Sequence, residues 1–214
     1  MPSDTQLRSA LAAIGTHLPR FRVGSRTVLD VSEVAHQRGL ELARPRTGVA
    51  LDAVLAAFGI EELPCIGSSA SAGGSFLLGI GPGLWLLIGS EGTAAQFPDS
   101  NVEAVFDVAV DTTDGWTEFV IVGSTSRDLL AKGCALDLHP RVFRQGCCAV
   151  TRFAQLRCVL HHSSVGYRLL VGRSYAVSLA EWLIEVAAEF GLGLVVKSPA
   201  EAASNKMHPY TQSA

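Results

Sequence analysis

Residues 75–89, SFLLGIGPGLWLLIG, are two unbroken apolar runs separated by Gly-Pro-Gly. A turn of that composition between two short apolar runs predicts a β-hairpin, and hairpins pair antiparallel. The same logic applies to residues 104–123, AVFDVAVDTTDGWTEFVIVG, where Asp114-Gly115 marks a second predicted hairpin turn. Residues 26–34 and 37–44 read as strands, and residues 51–60, LDAVLAAFGI, as a helix ended by Gly59. Further strands are predicted over 148–153, 155–162 and 166–171, with helices over 124–132 and 174–190. Strands and helices alternate without the regular β-α-β-α rhythm of a parallel sheet. The fold class is therefore α+β with largely antiparallel sheets.

The pattern occurs twice, which divides the chain into modules over 26–100 and 101–196, joined by the turn-rich linker SEGTAAQFPDSN. Residues 1–25 read as an N-terminal extension and 197–214 as a polar tail. Of the 214 residues, 48% are hydrophobic and 17% charged, fewer charges than the roughly 25% of a typical soluble domain. That deficit fits either an apolar core or a surface buried against other subunits. No 18-residue apolar run suggests a membrane span. The net charge of −3 and the absence of a basic stripe interleaved with aromatics argue against nucleic acid as a partner. Five cysteines, with Cys147 and Cys148 adjacent, do not form a disulfide pattern, and the N-terminus lacks a secretory h-region. Both point to a reduced, cytoplasmic protein.

Three clusters are candidates for chemistry. Residues 129–143, LLAKGCALDLHPRVF, bring Lys132, Cys134, Asp137 and His139 within eight positions. Each also has a structural explanation. Ser124 is a suitable N-cap, Lys132 suits the negative end of a helix, and Gly133 sits where a left-handed C-cap residue belongs. Leu136 and Leu138 alternate with Asp137 and His139 as in a half-buried extended segment, and Pro140 excludes His139 from a helix. The structural reading is the stronger one. Second, Cys158, His161 and His162 have the spacing of a metal knuckle but lack a second paired half. On a strand, Cys158, Leu160 and His162 share one face and Val159 and His161 the other. Third, Glu181, Glu185 and Glu189 stack along the last helix, as a solvated face or as a dock for a basic surface. Tyr175, Leu179, Trp182, Leu183, Val186 and Phe190 form its predicted apolar stripe, and Gly191 its predicted C-cap. No phosphate-loop, zinc-protease or serine-hydrolase motif occurs.

The run Lys132-Gly133-Cys134 through Asp137, His139 and Pro140, with GPGLWLLIG before it and GRSYAVSLAEWLIEVAAEFG after it, resembles the gamma subunit of heterotetrameric sarcosine oxidase. The resemblance covers about residues 26–192. It departs at Gly123-Ser124-Thr125, where the family has glycine-proline, and at Leu84, where an acidic residue is common. The resemblance implies a chain related to the folate-binding aminomethyltransferase fold, without chemistry of its own. It implies a complex that demethylates sarcosine to glycine, passing the one-carbon unit to tetrahydrofolate or releasing formaldehyde. FAD, FMN and NAD are then expected on larger alpha and beta subunits, and zinc on a small delta subunit. Related complexes act on N-methylglutamate or proline-type amines. A free-standing folate-binding aminomethyltransferase is the alternative. It needs a buried carboxylate for the pterin, with Asp107, Asp111 or Asp114 the nearest candidates.

Overall fold

The computed structural model describes residues 30–34, 37–45, 51, 55, 60–72, 75–90 and 105–189. Among these residues ten strands form two five-stranded sheets, every pairing antiparallel. They are β1 (Asp30–Val34), β2 (Gln37–Pro45), β3 (Ser69–Ala72), β4 (Ser75–Gly81), β5 (Leu84–Ser90), β6 (Phe106–Asp111), β7 (Trp116–Val122), β8 (Cys148–Phe153), β9 (Leu156–His162) and β10 (Tyr167–Gly172). The first sheet runs β1-β7-β10-β9-β8 and the second β3-β4-β5-β2-β6. Helices α1 (Ser126–Gly133) and α2 (Ala176–Glu189) cover the outer face of the first sheet.

The strand order interleaves the chain. β1 comes from the N-terminal part but pairs with β7 in the first sheet, while β6 pairs with β2 in the second. Residues 104–123 are therefore not a hairpin, contrary to the sequence expectation. Residues 113–115 form a 3-10 turn that carries the chain from one sheet to the other. The first hairpin is present as β4 and β5, around Pro82-Gly83. Leu51 and Leu55 are helical and Ile60 is not, while residues 52–54 and 56–59 of that predicted helix lie outside the described residues, as do Phe190 and Gly191.

Alternation along each strand sets two cores on the first sheet. Tyr167, Leu169 and Val171 of β10, Cys158 and Leu160 of β9, and Phe119 and Ile121 of β7 face the helices. There they meet Leu129 and Leu130 of α1 and Leu179, Leu183 and Val186 of α2. Each large aliphatic side chain buried this way contributes about 1.5–3 kcal/mol. Leu170 and Val159 point the other way and pack on Leu78, Leu86 and Ile88 of the second sheet, so the two sheets lie face to face. Leu40, Leu42, Leu77 and Leu87 form the second sheet's outer face, against Leu55 and Ile60. Backbone bonds also stitch the sheets together: Cys148 N–H donates to Gly67 O (2.9 Å) and Ser69 N–H to Gly146 O (2.8 Å). Gly79 is required beside this seam, because a Cβ there would lie 2.3 Å from the Cys65 carbonyl oxygen.

The predicted boundaries of α1 shift. The helix starts at Ser126 with Thr125, not Ser124, at the N-cap, and Ser126 Oγ donates to Gly123 O (2.7 Å). Gly133 is the last helical residue, not a left-handed cap. It is glycine because a Cβ would lie 2.6 Å from the Phe153 ring. Tyr175 falls in a 3-10 turn before α2 and is 56% exposed, so it leaves the predicted apolar stripe. Leu179, Leu183 and Val186 are buried and Trp182 packs edge-on against Phe153.

Candidate functional site

The polar groups fall into two sets: an exposed loop after α1 and a buried cluster between the sheets.

In the loop, the reactive-looking side chains serve local structure. Lys132 Nζ pairs with Glu189 Oε2 of α2 (2.7 Å), both ends well exposed. Asp137 Oδ1 accepts from the His139 N–H (2.9 Å), an Asx turn, and His139 Nδ1 accepts from the Arg141 N–H (3.2 Å). The His139 carbonyl accepts from Val142 and Phe143, closing the turn at Pro140. Cys134 and Leu136 pack at the edge of the helix-side core, Leu138 and Phe143 are buried, and Asp137, His139 and Pro140 are exposed. The predicted alternation therefore holds. Burial raises the Cys134 thiol pKa above its usual value, which disfavours the nucleophilic thiolate.

Cys158, His161 and His162 divide across β9 as the strand period requires. His162 sits on the helix side, stacked on Tyr167 at 4.4 Å, with Nδ1 donating to Phe143 O (3.1 Å). His161 faces the second sheet, so the three do not converge on one ion. Among the described residues, no group of three His, Cys, Asp or Glu side chains could hold a metal. Cys158 is fully buried and its pKa is pushed up to about 12, while burial pushes Cys148 up to about 11. Cys147 packs on the helix-side core and Cys148 between the sheets, opposite faces as adjacent strand residues must be.

The buried cluster joins residues that stand far apart in the sequence. On the inner face of the first sheet, Glu118 of β7 is 1% exposed and Arg168 of β10 grips it with two hydrogen bonds. Arg168 Nη2 donates to Glu118 Oε2 at 2.9 Å, and Nε donates to Oε1. The guanidinium also lies 4.4 Å from the centre of the Phe76 ring, whose other neighbour is His161, edge-on at 4.9 Å. His161 is 2% exposed. Its Nε2 lies 3.0 Å from Ser69 Oγ, which donates its own proton to Gly146 O (2.9 Å). Ser69 therefore accepts, so His161 is the neutral Nε2–H tautomer. Burial chiefly, then the charges of Arg168 and His162, lowers its pKa to about 4. For Glu118, desolvation raises the pKa and outweighs the opposing pull of Arg168. The geometry is nevertheless that of a charge-assisted bidentate pair.

This cluster overturns one expectation. Asp107, Asp111 and Asp114 are all exposed, and the buried carboxylate among the described residues is Glu118. Its sequence signal is slight: one acidic residue in the strand WTEFVIV and one arginine in YRLLVG, which the register sets diagonally, Glu118 opposite Leu170 and Arg168 opposite Val120. Glu181 and Glu185 of α2 are exposed and Glu189 is engaged by Lys132.

Comparison with known proteins fits this arrangement. The sarcosine oxidase subunit gamma of Corynebacterium sp. (strain U-96) is 27% identical over 204 residues, 89% of this chain and 95% of that protein. A chain of the heterotetrameric sarcosine oxidase from Corynebacterium sp. U-96, in complex with pyrrole 2-carboxylate, superposes with a TM-score of 0.72 at 22% identity. That match spans 88% of this chain and 98% of the other. The glycine cleavage system aminomethyltransferase T from Bartonella henselae shares the fold, with a TM-score of 0.55 at 15% identity over 74% of this chain and 46% of that one. Residues 43–189, which hold nearly all the described structure, match the sarcosine oxidase, gamma subunit family, and the chain belongs to that family.

Proposed function

We propose that the chain is a non-catalytic assembly subunit of a flavin-dependent complex that oxidises sarcosine or a related secondary amine. The observation that carries this reading is the Glu118–Arg168 pair. In a fold shared with an aminomethyltransferase, the one deeply buried carboxylate among the described residues is already held by an internal cation. A pterin would have to compete with a bidentate guanidinium. Lys132, Asp137 and His139, in the loop that also holds Gly133, Cys134 and Pro140, fit the same reading, because each side chain is engaged by Glu189 or by the loop backbone.

On this reading FAD, FMN and NAD reside on larger alpha and beta subunits and zinc on a small delta subunit. Sarcosine is demethylated to glycine there, and the one-carbon unit passes to tetrahydrofolate or leaves as formaldehyde. Glu181 and Glu185, exposed on α2, stand ready for a basic partner surface. A complex acting on an N-methylglutamate- or proline-type amine would use such a chain in the same way. Calorimetry of the lone chain with tetrahydrofolate separates this reading from a free-standing aminomethyltransferase. No heat of binding is expected up to millimolar folate, and micromolar binding would favour the transferase.

A further inference from the structure

The two sheets do not cover each other completely. On the first sheet's inner face, Leu170 and Val159 are buried by the second sheet. Beyond that cover, Val150, opposite Val159, is 37% exposed. The next row holds Arg152 and Arg157, directly opposite each other across β8 and β9 and both exposed. Further along, Gly172 of β10 pairs with the partly buried Trp116 of β7. A Cβ on Gly172 would meet the Tyr175 ring at 3.5 Å, so the 56% exposed Tyr175 lies over this same face. The uncovered end is thus a strip of two arginines, a tyrosine, a tryptophan edge and a valine. Arginine and the large aromatics dominate binding energy at protein interfaces.

Charge specifies the occupant. From Leu138 to Ala180 the chain has six arginines and no aspartate, glutamate or lysine. Arg168 is engaged by Glu118, but among the described residues neither Arg152 nor Arg157 has a carboxylate partner. Like charges directly opposite on a hairpin repel. A single cation suffices to guard an edge strand such as β8 against self-pairing. Two facing ones are relieved by an anion seated between them. We propose that this uncovered end of the first sheet's inner face is the seat of an acidic, extended segment of a partner subunit. The inference rests on the assembly reading and adds the place and the chemistry of contact.

The test uses the full-length tagged chain co-expressed with the other subunits of its complex. Arg152→Glu with Arg157→Glu should lower recovery of the complex by about tenfold or more, and wild-type recovery should fall as salt screens the contact. Arg152→Glu alone sets a carboxylate opposite Arg157, which favours the hairpin while weakening the anion seat. A variant as stable as wild type that recovers less partner separates docking from folding. Arg141→Glu, at the opposite end of the β8–β9 hairpin, should leave recovery unchanged. A photo-crosslinker at position 175 should join a segment of a partner subunit rich in Asp and Glu. Wild-type assembly with equal recovery of the double variant would overturn the seat alone. So would an equal loss in Arg141→Glu, or a crosslink to a second copy of this chain or to nucleic acid. A wild-type chain that recovers no subunit would instead refute the assembly reading, and this inference with it.

Discussion

The loop over residues 132–143 and the inner face of the first sheet both carry a cation, an acid and a histidine, in opposite surroundings. In the loop, Lys132, Asp137 and His139 are exposed, and their bonds are to one distant glutamate and to neighbouring backbone. Between the sheets, Arg168, Glu118 and His161 are largely removed from water, with Phe76 between Arg168 and His161 and Ser69 bonded to His161. The same functional groups are therefore worth little in one place and a great deal in the other. Polar groups matter to a fold in proportion to their desolvation, and proximity along the chain is no guide to that.

Substitutions should expose this difference. The largest effect is expected for Glu118→Ala, which leaves the largely buried Arg168 guanidinium without its counter-charge. A loss of about 3–5 kcal/mol in urea unfolding is expected. The double change Glu118→Gln with Arg168→Met should recover much of that loss, since neither charge remains. If Glu118→Ala cost under about 1 kcal/mol, the cluster would be no more important than the loop.

Acid should act on the buried histidine next. His161 has a folded pKa of about 4 against an ordinary value of 6.5, so the unfolded chain binds a proton that the folded chain refuses. Its contribution is fully present above pH 6.5 and is lost as pH falls toward 4, by about 3 kcal/mol at most. His161→Gln, which keeps an N–H for Ser69 but does not titrate, should flatten that part of the stability profile. Equal slopes for both proteins between pH 6.5 and 4 would show that His161 is not the group responsible.

Packing comes third. Gly133→Ala drives a methyl into the Phe153 ring and should cost about 1–3 kcal/mol, with Phe153→Leu in the same chain restoring part of it. Were Gly133 a left-handed cap, as its position at the helix end suggested, shrinking Phe153 would not help. The smallest effect belongs to the loop: Lys132→Ala should change stability by less than about 1 kcal/mol, because both partners of its ion pair are exposed.

Much of the architecture was legible in the chain because strand period and turn chemistry are local signals. The β4–β5 hairpin, the three strands from 148 to 172, and the division of Cys158 and His162 from His161 all follow from alternation and turn residues. The second hairpin failed because Asp114-Gly115 marks a change of direction, and no local signal says that β6 joins one sheet and β7 the other. Gly133 looked like a cap because Phe153, which lies against it, is twenty residues away in sequence. Glu118 and Arg168 are 50 residues apart, so their meeting depends on strand order, which a single sequence does not encode locally. The acid-free run from 138 to 180 is readable, but its arginines form no stripe along the chain, and only the strand register shows which of them face outward together.

The most direct test of the central claim is native mass spectrometry of the tagged full-length chain, purified gently after co-expression with the flavoprotein subunits proposed for its complex. The account predicts a single assembly that contains this chain once alongside larger subunits carrying all the flavin. A chain that emerges alone, or that carries flavin or oxidises sarcosine by itself, would contradict it.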